Sequence, residues 1–329
     1  MNDREYRYRA AWWLRGAHAQ TMWGRFARNI PRIPTTRDCL TSPDGDNLEL
    51  HHLDAPAGAP RVLLLHGLEG SARSHYVGGV LAQARARNWG ATLLVFRGCG
   101  SEANVAPRFY HSGETEDLQH VFTKLSARWP NTAWCMMGIS LGGNVLLKWL
   151  GERGTGVDHR IRAAAAISVP FDLEAGSRHI SRGFSRVYDQ SFLRSLRRKA
   201  LAKLERFPGL FDRDKLAHAR SVFDFDDAVT APVHGFKDAR DYYEKSSSLP
   251  FLTRITIPTL LLSSSDDPFL PSSLLSRVES AASVNPALSV EFHSAGGHVG
   301  FVSGKVPWRA FYYAEWRAFR FFEQVMERR

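Results

Sequence analysis

The chain has 329 residues, 44% hydrophobic and 23% charged, with a formal net charge of +10. That is enough apolar material for one large domain or two small ones, and too much for a disordered chain. Three cysteines without a Cys-x-x-Cys pair argue against a disulfide framework and a structural zinc site, and the scattered arginines carry no nucleic-acid module signature, so neither a metal nor a nucleic-acid partner is expected.

Residues 1–36 form an aromatic and basic arm centred on "AWWLRGAHAQTMWGRF". It lacks the continuous apolar stretch of a secretory signal, and no later run approaches the roughly 20 apolar residues that span a bilayer. A cytoplasmic protein is expected. The arm reads as packing on the core, although Trp12, Trp13 and Trp23 leave weak peripheral membrane contact open. Next, "CLTSPDGDNLELHHL" places Ser-Pro-Asp-Gly-Asp turn chemistry between two short strands, a hairpin.

Six short apolar runs follow: "RVLLLHG", "ATLLVFRG", "AWCMMGIS", "IRAAAAISVP", "PTLLLSSSDD" and "ALSVEFHSAGGH". Runs of this length without alternation mark strands buried on both faces. Helical patterns separate them. In "GETEDLQHVFTKLSARWP", Leu118, Val121, Phe122, Leu125 and Trp129 share one face, acidic residues occupy the first turn and Pro130 stops the helix. Alternating strands and helices predict a mostly parallel eight-stranded sheet with helices on both faces.

The stretch 171–252 breaks this rhythm. It is basic and helical in pattern, with Phe192, Leu193, Leu196, Ala200, Leu204 and Phe207 on one face and Arg194, Arg197, Arg198 and Lys203 on others. The predicted organisation is therefore a core of residues 37–170 and 253–329, interrupted by a helical cap over 171–252.

The chemistry gathers at the carboxyl ends of the predicted strands, where open parallel sheets build their sites. "GISLGG" puts Ser140 between the third apolar run and a helix. Gly138, Gly142 and Gly143 allow the sharp turn that a nucleophile elbow needs. The pentapeptide alone is weak; its conjunction with later residues is not. Asp266 and Asp267 end the seventh strand and His298 follows the eighth, in the order nucleophile, acid, base. Asp267 is favoured because Pro268 holds it extended, with Asp266 left to a turn or cap role. The backbone N–H groups of Leu68, after His66-Gly67, and of Leu141, after Ser140, would form an oxyanion hole. His18, His51, His52, His111 and His293 read as packing or capping.

The sequence resembles the YheT-like esterases of the α/β-hydrolase superfamily, relatives of ABHD1/ABHD3-type lipases and yeast medium-chain ester synthases. The resemblance rests on "WLRGAHAQT", "HGLEGS", "FRGCGSE", "YHSGETEDL", "GISLGGN", "DDPFLP" and "GGHVGF". It implies an α/β-hydrolase fold with a helical cap. It also implies Ser140 as nucleophile, Asp267 as acid, His298 as base, Leu68 and Leu141 as oxyanion donors, and no cofactor. The expected activity is hydrolysis of short- to medium-chain carboxylic esters, with a small-molecule or lipid ester as substrate. Acyl transfer to an alcohol through the same acyl-enzyme, or non-catalytic lipid binding at a membrane surface, are the alternatives. Arg97 is expected to pin a loop, with an acidic substrate group as the other option, and Cys99 to pack.

Overall fold

The computed structural model describes residues 7–328, so the first six residues of the arm lie outside the described residues. The eight strands of the main sheet are β1 (Thr36–Thr41), β2 (Asn47–Leu53), β3 (Arg61–Leu65), β4 (Gly90–Val95), β5 (Trp134–Ile139), β6 (Ile161–Ile167), β7 (Thr259–Ser264) and β8 (Leu288–His293). They form one sheet in the order β1-β2-β4-β3-β5-β6-β7-β8. The hairpin β1–β2 and the β2–β4 pair are antiparallel, and every pair from β4 to β8 is parallel.

Burial explains which strands read as unbroken apolar runs. β3, β4, β5 and β7 are buried at every residue, so both faces of each are covered and neither face selects polar side chains. β8, at one edge, has only Leu288 buried, and β1, at the other, buries none of its residues. The helix Leu141–Arg153 buries eleven consecutive residues, Leu141 to Gly151, against the sheet and its neighbours. Apart from Asn144 and Lys148, this buried stretch is accordingly glycine or apolar on every side rather than striped.

The chain passes from β3 to β4 on one side and then returns to β5 on the other side of β3. This reversal opens a crevice at the carboxyl ends of β3 and β5. The loops that follow β7 and β8 leave the same end of the sheet.

Between β6 and β7 the described residues contain no strand. The chain there runs through helices Leu173–Ile180, Arg186–Arg206, Arg213–His218 and Ala239–Ser246, with shorter turns between them. One apolar cluster, built on Leu193, Ala200, Phe211, Leu216, Phe225 and Val229, ties the helices Arg186–Arg206 and Arg213–His218 to the turns after them, and another, of Leu173, Ala239, Tyr242 and Tyr243, joins the helices Leu173–Ile180 and Ala239–Ser246. Lys203, off the apolar face of its helix, is nevertheless not solvated. It is buried, donates to Asn104 Oδ1 at 2.7 Å and to the Ala106 carbonyl at 2.6 Å, and lies over the Phe109 ring. Burial pulls its ammonium down to about 8. A lysine on a helical stripe is indistinguishable from a solvated one until the loop that receives it is known.

The arm packs on the core. Tyr8 is buried against His293, Phe301 and Tyr313. The helix Ala17–Phe26 then lies across the loop after β8, where Gln20 is 1% exposed and its amide bridges the chain ends. Gln20 donates to the carbonyls of Leu14 and Val302, and its oxygen accepts the N–H of Val302 at 2.8 Å. Among the described residues no helix is long and apolar enough to cross a membrane.

Candidate active site

Ser140 occupies the turn between β5 and the helix Leu141–Arg153 with φ 52° and ψ −119°. A non-glycine residue there is strained, and it persists only because the surroundings fix it. Its N–H donates to the Ile167 carbonyl at 2.8 Å, and its own carbonyl accepts from Gly143 and Asn144 as the helix begins. The flanking glycines are sterically required. A Cβ on Gly138 would lie 2.5 Å from the Gly142 carbonyl oxygen, and one on Gly142 2.5 Å from the carbonyl oxygens of Leu65 and His66.

The structure brings Ser140, His298 and Asp267 into a continuous hydrogen-bonded line. Ser140 Oγ lies 2.9 Å from His298 Nε2, and His298 Nδ1 lies 2.8 Å from Asp267 Oδ2. Asp267 and His298 are both buried, and the Phe269 ring stacks on the imidazole at 3.9 Å with 14° between planes. The N–H of Phe269 donates to Asp267 Oδ1 at 2.8 Å, which fixes the carboxylate. Asp266 points elsewhere: its Oδ1 accepts the N–H of Gly297 at 2.9 Å and so shapes the loop that carries His298.

That loop is tied down from three sides. Ser264 Oγ donates to the Gly297 carbonyl, and Ser168 Oγ accepts the Val299 N–H. The His298 N–H itself donates to Thr21 Oγ1 at 2.8 Å. Thr21 belongs to the arm, and a Cβ on Gly300 would strike the Gln20 carbonyl oxygen at 2.5 Å. From sequence the arm reads as packing on the core with weak membrane contact left open; its contact with His298 is a further role that no local pattern announces.

Leu68 lies in the turn after β3. The N–H groups on either side are occupied, Gly67 by the Tyr76 hydroxyl and Glu69 by the Tyr110 hydroxyl, each at 2.8 Å. The N–H of Leu68 has no acceptor among the described residues, and neither has that of Leu141, the first residue of its helix. Gly67 lets this turn approach the serine: a Cβ there would sit 3.2 Å from Ser140 Cβ.

His66 builds the turn from inside. It is fully buried, its Nδ1–H donates to the Gly67 carbonyl at 2.7 Å, and its Nε2 accepts the N–H of Phe96 at 3.0 Å. The acceptor role of Nε2 requires the neutral ring, and burial lowers its pKa to about 4. Glu69, at φ 55°, anchors the turn from above. It receives Lys199 Nζ at 2.8 Å, the Tyr110 hydroxyl at 3.1 Å and the Ser195 hydroxyl. Ser195 and Lys199 sit on the helix Arg186–Arg206, so the turn after β3 is coupled to the helices between β6 and β7.

These groups line a cavity of about 750 Å³. Leu173, Ile180, Tyr188, Phe192, Leu196, Phe225 and Phe269 are among its apolar lining, and Asp226 lies in the lining too, where burial pushes its carboxyl up to about 6. Arg97 is not free to bind a ligand: its guanidinium is shared among Asp44, Asp46 and Asp117. Burial raises the Cys99 thiol to about 12, so it is not a nucleophile. His51, His52 and His293 bond within or beside their own strands, to Glu49, Thr92 and Glu291. Among the described residues no three His, Cys, Asp or Glu side chains converge to hold a metal ion.

Residues 60–305 match the family described as alpha/beta hydrolase fold. Over 292 residues the chain is 39% identical to YheT of Escherichia coli, an esterase by name, spanning 87% of this chain and 84% of that one. A monoacylglycerol lipase of Saccharomyces cerevisiae is 32% identical over 273 residues, spanning 80% of this chain and 59% of the yeast protein. The solved structure of the Pyrococcus furiosus esterase Pf2001 superposes with a TM-score of 0.59 at 18% identity, covering 91% of this chain and 97% of that one, a likeness of fold. The chain therefore belongs to the α/β-hydrolase family, in its YheT-like branch of esterase- and lipase-type hydrolases.

Proposed function

We propose that the protein is a serine carboxylester hydrolase acting through an acyl-enzyme on Ser140. The observation that carries this reading is the line Ser140–His298–Asp267 at the floor of an apolar cavity. His298 Nε2 takes the proton of Ser140 as Oγ attacks the ester carbonyl. Asp267 keeps the imidazole in the tautomer that accepts this proton and stabilises the imidazolium. The unoccupied N–H groups of Leu68 and Leu141 receive the oxyanion, each donor contributing on the order of 10²–10³ in rate. His298 then protonates the departing alcohol, and a water activated by the same base releases the acid.

The helices between Leu173 and Arg254 act as the cap. Their apolar side chains and the cavity volume suit an acyl chain of short to medium length. A relative named as a monoacylglycerol lipase supports an acyl ester with a lipid chain. A fluorophosphonate probe is the direct test, since it phosphonylates only an activated serine. Mass spectrometry is expected to place the adduct on Ser140, and an intact protein after prolonged exposure would sink the reading.

Thr21 provides a second test, because it accepts the His298 N–H from 277 residues away along the chain. Thr21→Val keeps the side-chain shape but leaves that N–H without its acceptor. Turnover per folded molecule is expected to fall by roughly ten- to a hundredfold, as small displacements of a catalytic base do. An unchanged kcat, measured on protein whose melting curve shows it fully folded, would restrict the arm to packing.

A further inference from the structure

The cavity mouth carries a pattern that ester chemistry does not require. Among the described residues eight large hydrophobic side chains are exposed, and four of them line this one cavity. Phe26 is 72% exposed and Met22 38%, both on the arm helix; Val187 is 58% and Phe184 57%, on the segment that opens the cap. The two segments touch. The His18 ring packs on Phe184 at 4.5 Å, and its Nδ1 lies 3.1 Å from the Tyr188 hydroxyl. The four side chains thus belong to one rim rather than to scattered surface positions, which are normal and need no explanation.

The charge of the rim has a single sign. Residues 17–37, 70–87 and 175–188, which supply it, contain no aspartate or glutamate. Arg25 and Arg73 line the cavity and are exposed, and Arg182 and Arg186 are exposed next to Phe184 and Val187 along the chain. By contrast Arg28, on the same arm but turned inward, is paired with Glu315, and Arg178 is paired with Glu174. Apolar side chains standing out beside exposed arginines match the two layers of an anionic lipid surface: acyl chains below, phosphates above.

We propose that the mouth of the cavity docks on an anionic phospholipid surface, with Met22, Phe26, Phe184 and Val187 entering the acyl boundary and the arginines meeting the headgroups. The orientation puts the cavity opening against the lipid, so an ester chain passes into it without crossing water. Docking stands apart from the chemistry at Ser140; delivery of a lipid ester to that serine rests on the hydrolase reading.

Co-sedimentation of the full chain with vesicles tests it. Vesicles of equimolar phosphatidylcholine and phosphatidylglycerol are expected to carry the protein down, vesicles of phosphatidylcholine alone to carry far less, and added salt to weaken the binding. The double variants Phe26→Ser/Phe184→Ser and Arg25→Glu/Arg73→Glu, checked for native circular dichroism, should each lose binding by roughly tenfold or more. Val284→Ser, which removes an exposed side chain outside the cavity, should not. Absent binding, equal binding to both vesicles, or rim variants that bind as wild type would each overturn the proposal. A dimer abolished by Phe26→Ser/Phe184→Ser, without vesicle binding, would assign the rim to a second copy and overturn it too. Because sedimentation reads no turnover, an inactive protein that sediments sinks only the hydrolase reading, and an active one that stays in solution sinks only the docking.

Discussion

Ser140→Ala is expected to lower kcat for a p-nitrophenyl acyl ester by about 10⁴–10⁶-fold while the protein stays folded. The size of the loss follows from what the hydroxyl does. Without Oγ no acyl-enzyme forms, and the remaining machinery, two N–H donors and a bound acyl chain, only assists direct attack by water. Folding should hardly change. The backbone at φ 52° is as strained for alanine as for serine, and the N–H bond to Ile167 and the carbonyl bonds to Gly143 and Asn144 do not involve the side chain. The lost Ser140–His298 hydrogen bond contributes on the order of 1 kcal/mol, so the melting temperature should move by a few degrees at most. Turnover near the wild-type level would require a different nucleophile. Cys99, with its thiol held protonated beside Glu69 and Lys199, is a poor substitute.

How far such a site can be read from sequence depends on whether its causes are local. The strands that frame it were legible because β3, β4, β5 and β7 are covered on both faces, and that burial writes itself as unbroken apolar runs. Ser140 was legible because it follows such a run directly and glycines lie on both sides of it, and His298 because it stands in a glycine-rich loop soon after the last strand, β8. The parts that escaped are those whose reasons lie far away along the chain. Thr21 and Gln20 look like ordinary polar residues of an amphipathic helix; only the fold shows that they hold the loop around His298. His66 reads as a strand-end residue, and its glycine neighbours at 67 and 70 were the available signal. A Cβ on Gly70 would strike the His66 ring at 2.6 Å, so the ring is folded back into its own turn. Lys203 is a further case: its place off the apolar face of a basic helix does not announce that a loop between β4 and the helix Thr115–Arg128 supplies oxygen acceptors for it.

The neighbouring aspartates offer the sharpest comparison, since sequence ranks them and geometry separates them. In Asp267 one carboxylate oxygen accepts the Phe269 N–H while the other is nearest His298 Nδ1. Asp267→Asn supplies one oxygen in place of two. If that oxygen keeps Phe269, the amide NH2 faces Nδ1 and donates to it. The ring proton then moves to Nε2, where it opposes the Ser140 proton instead of accepting it. The expected loss is about 10³–10⁴-fold in kcat with little change in KM, the cost of the wrong tautomer in an intact site. Asp266→Asn retains an oxygen for the Gly297 N–H, its one hydrogen-bond partner among the described residues, so the His298 loop should keep its shape and kcat should stay within roughly tenfold. Steady-state kinetics of the two variants on the same ester decides the matter. Equal losses, or a larger loss at position 266, would mean that the carboxylate beside His298 is not the one that orients it during turnover.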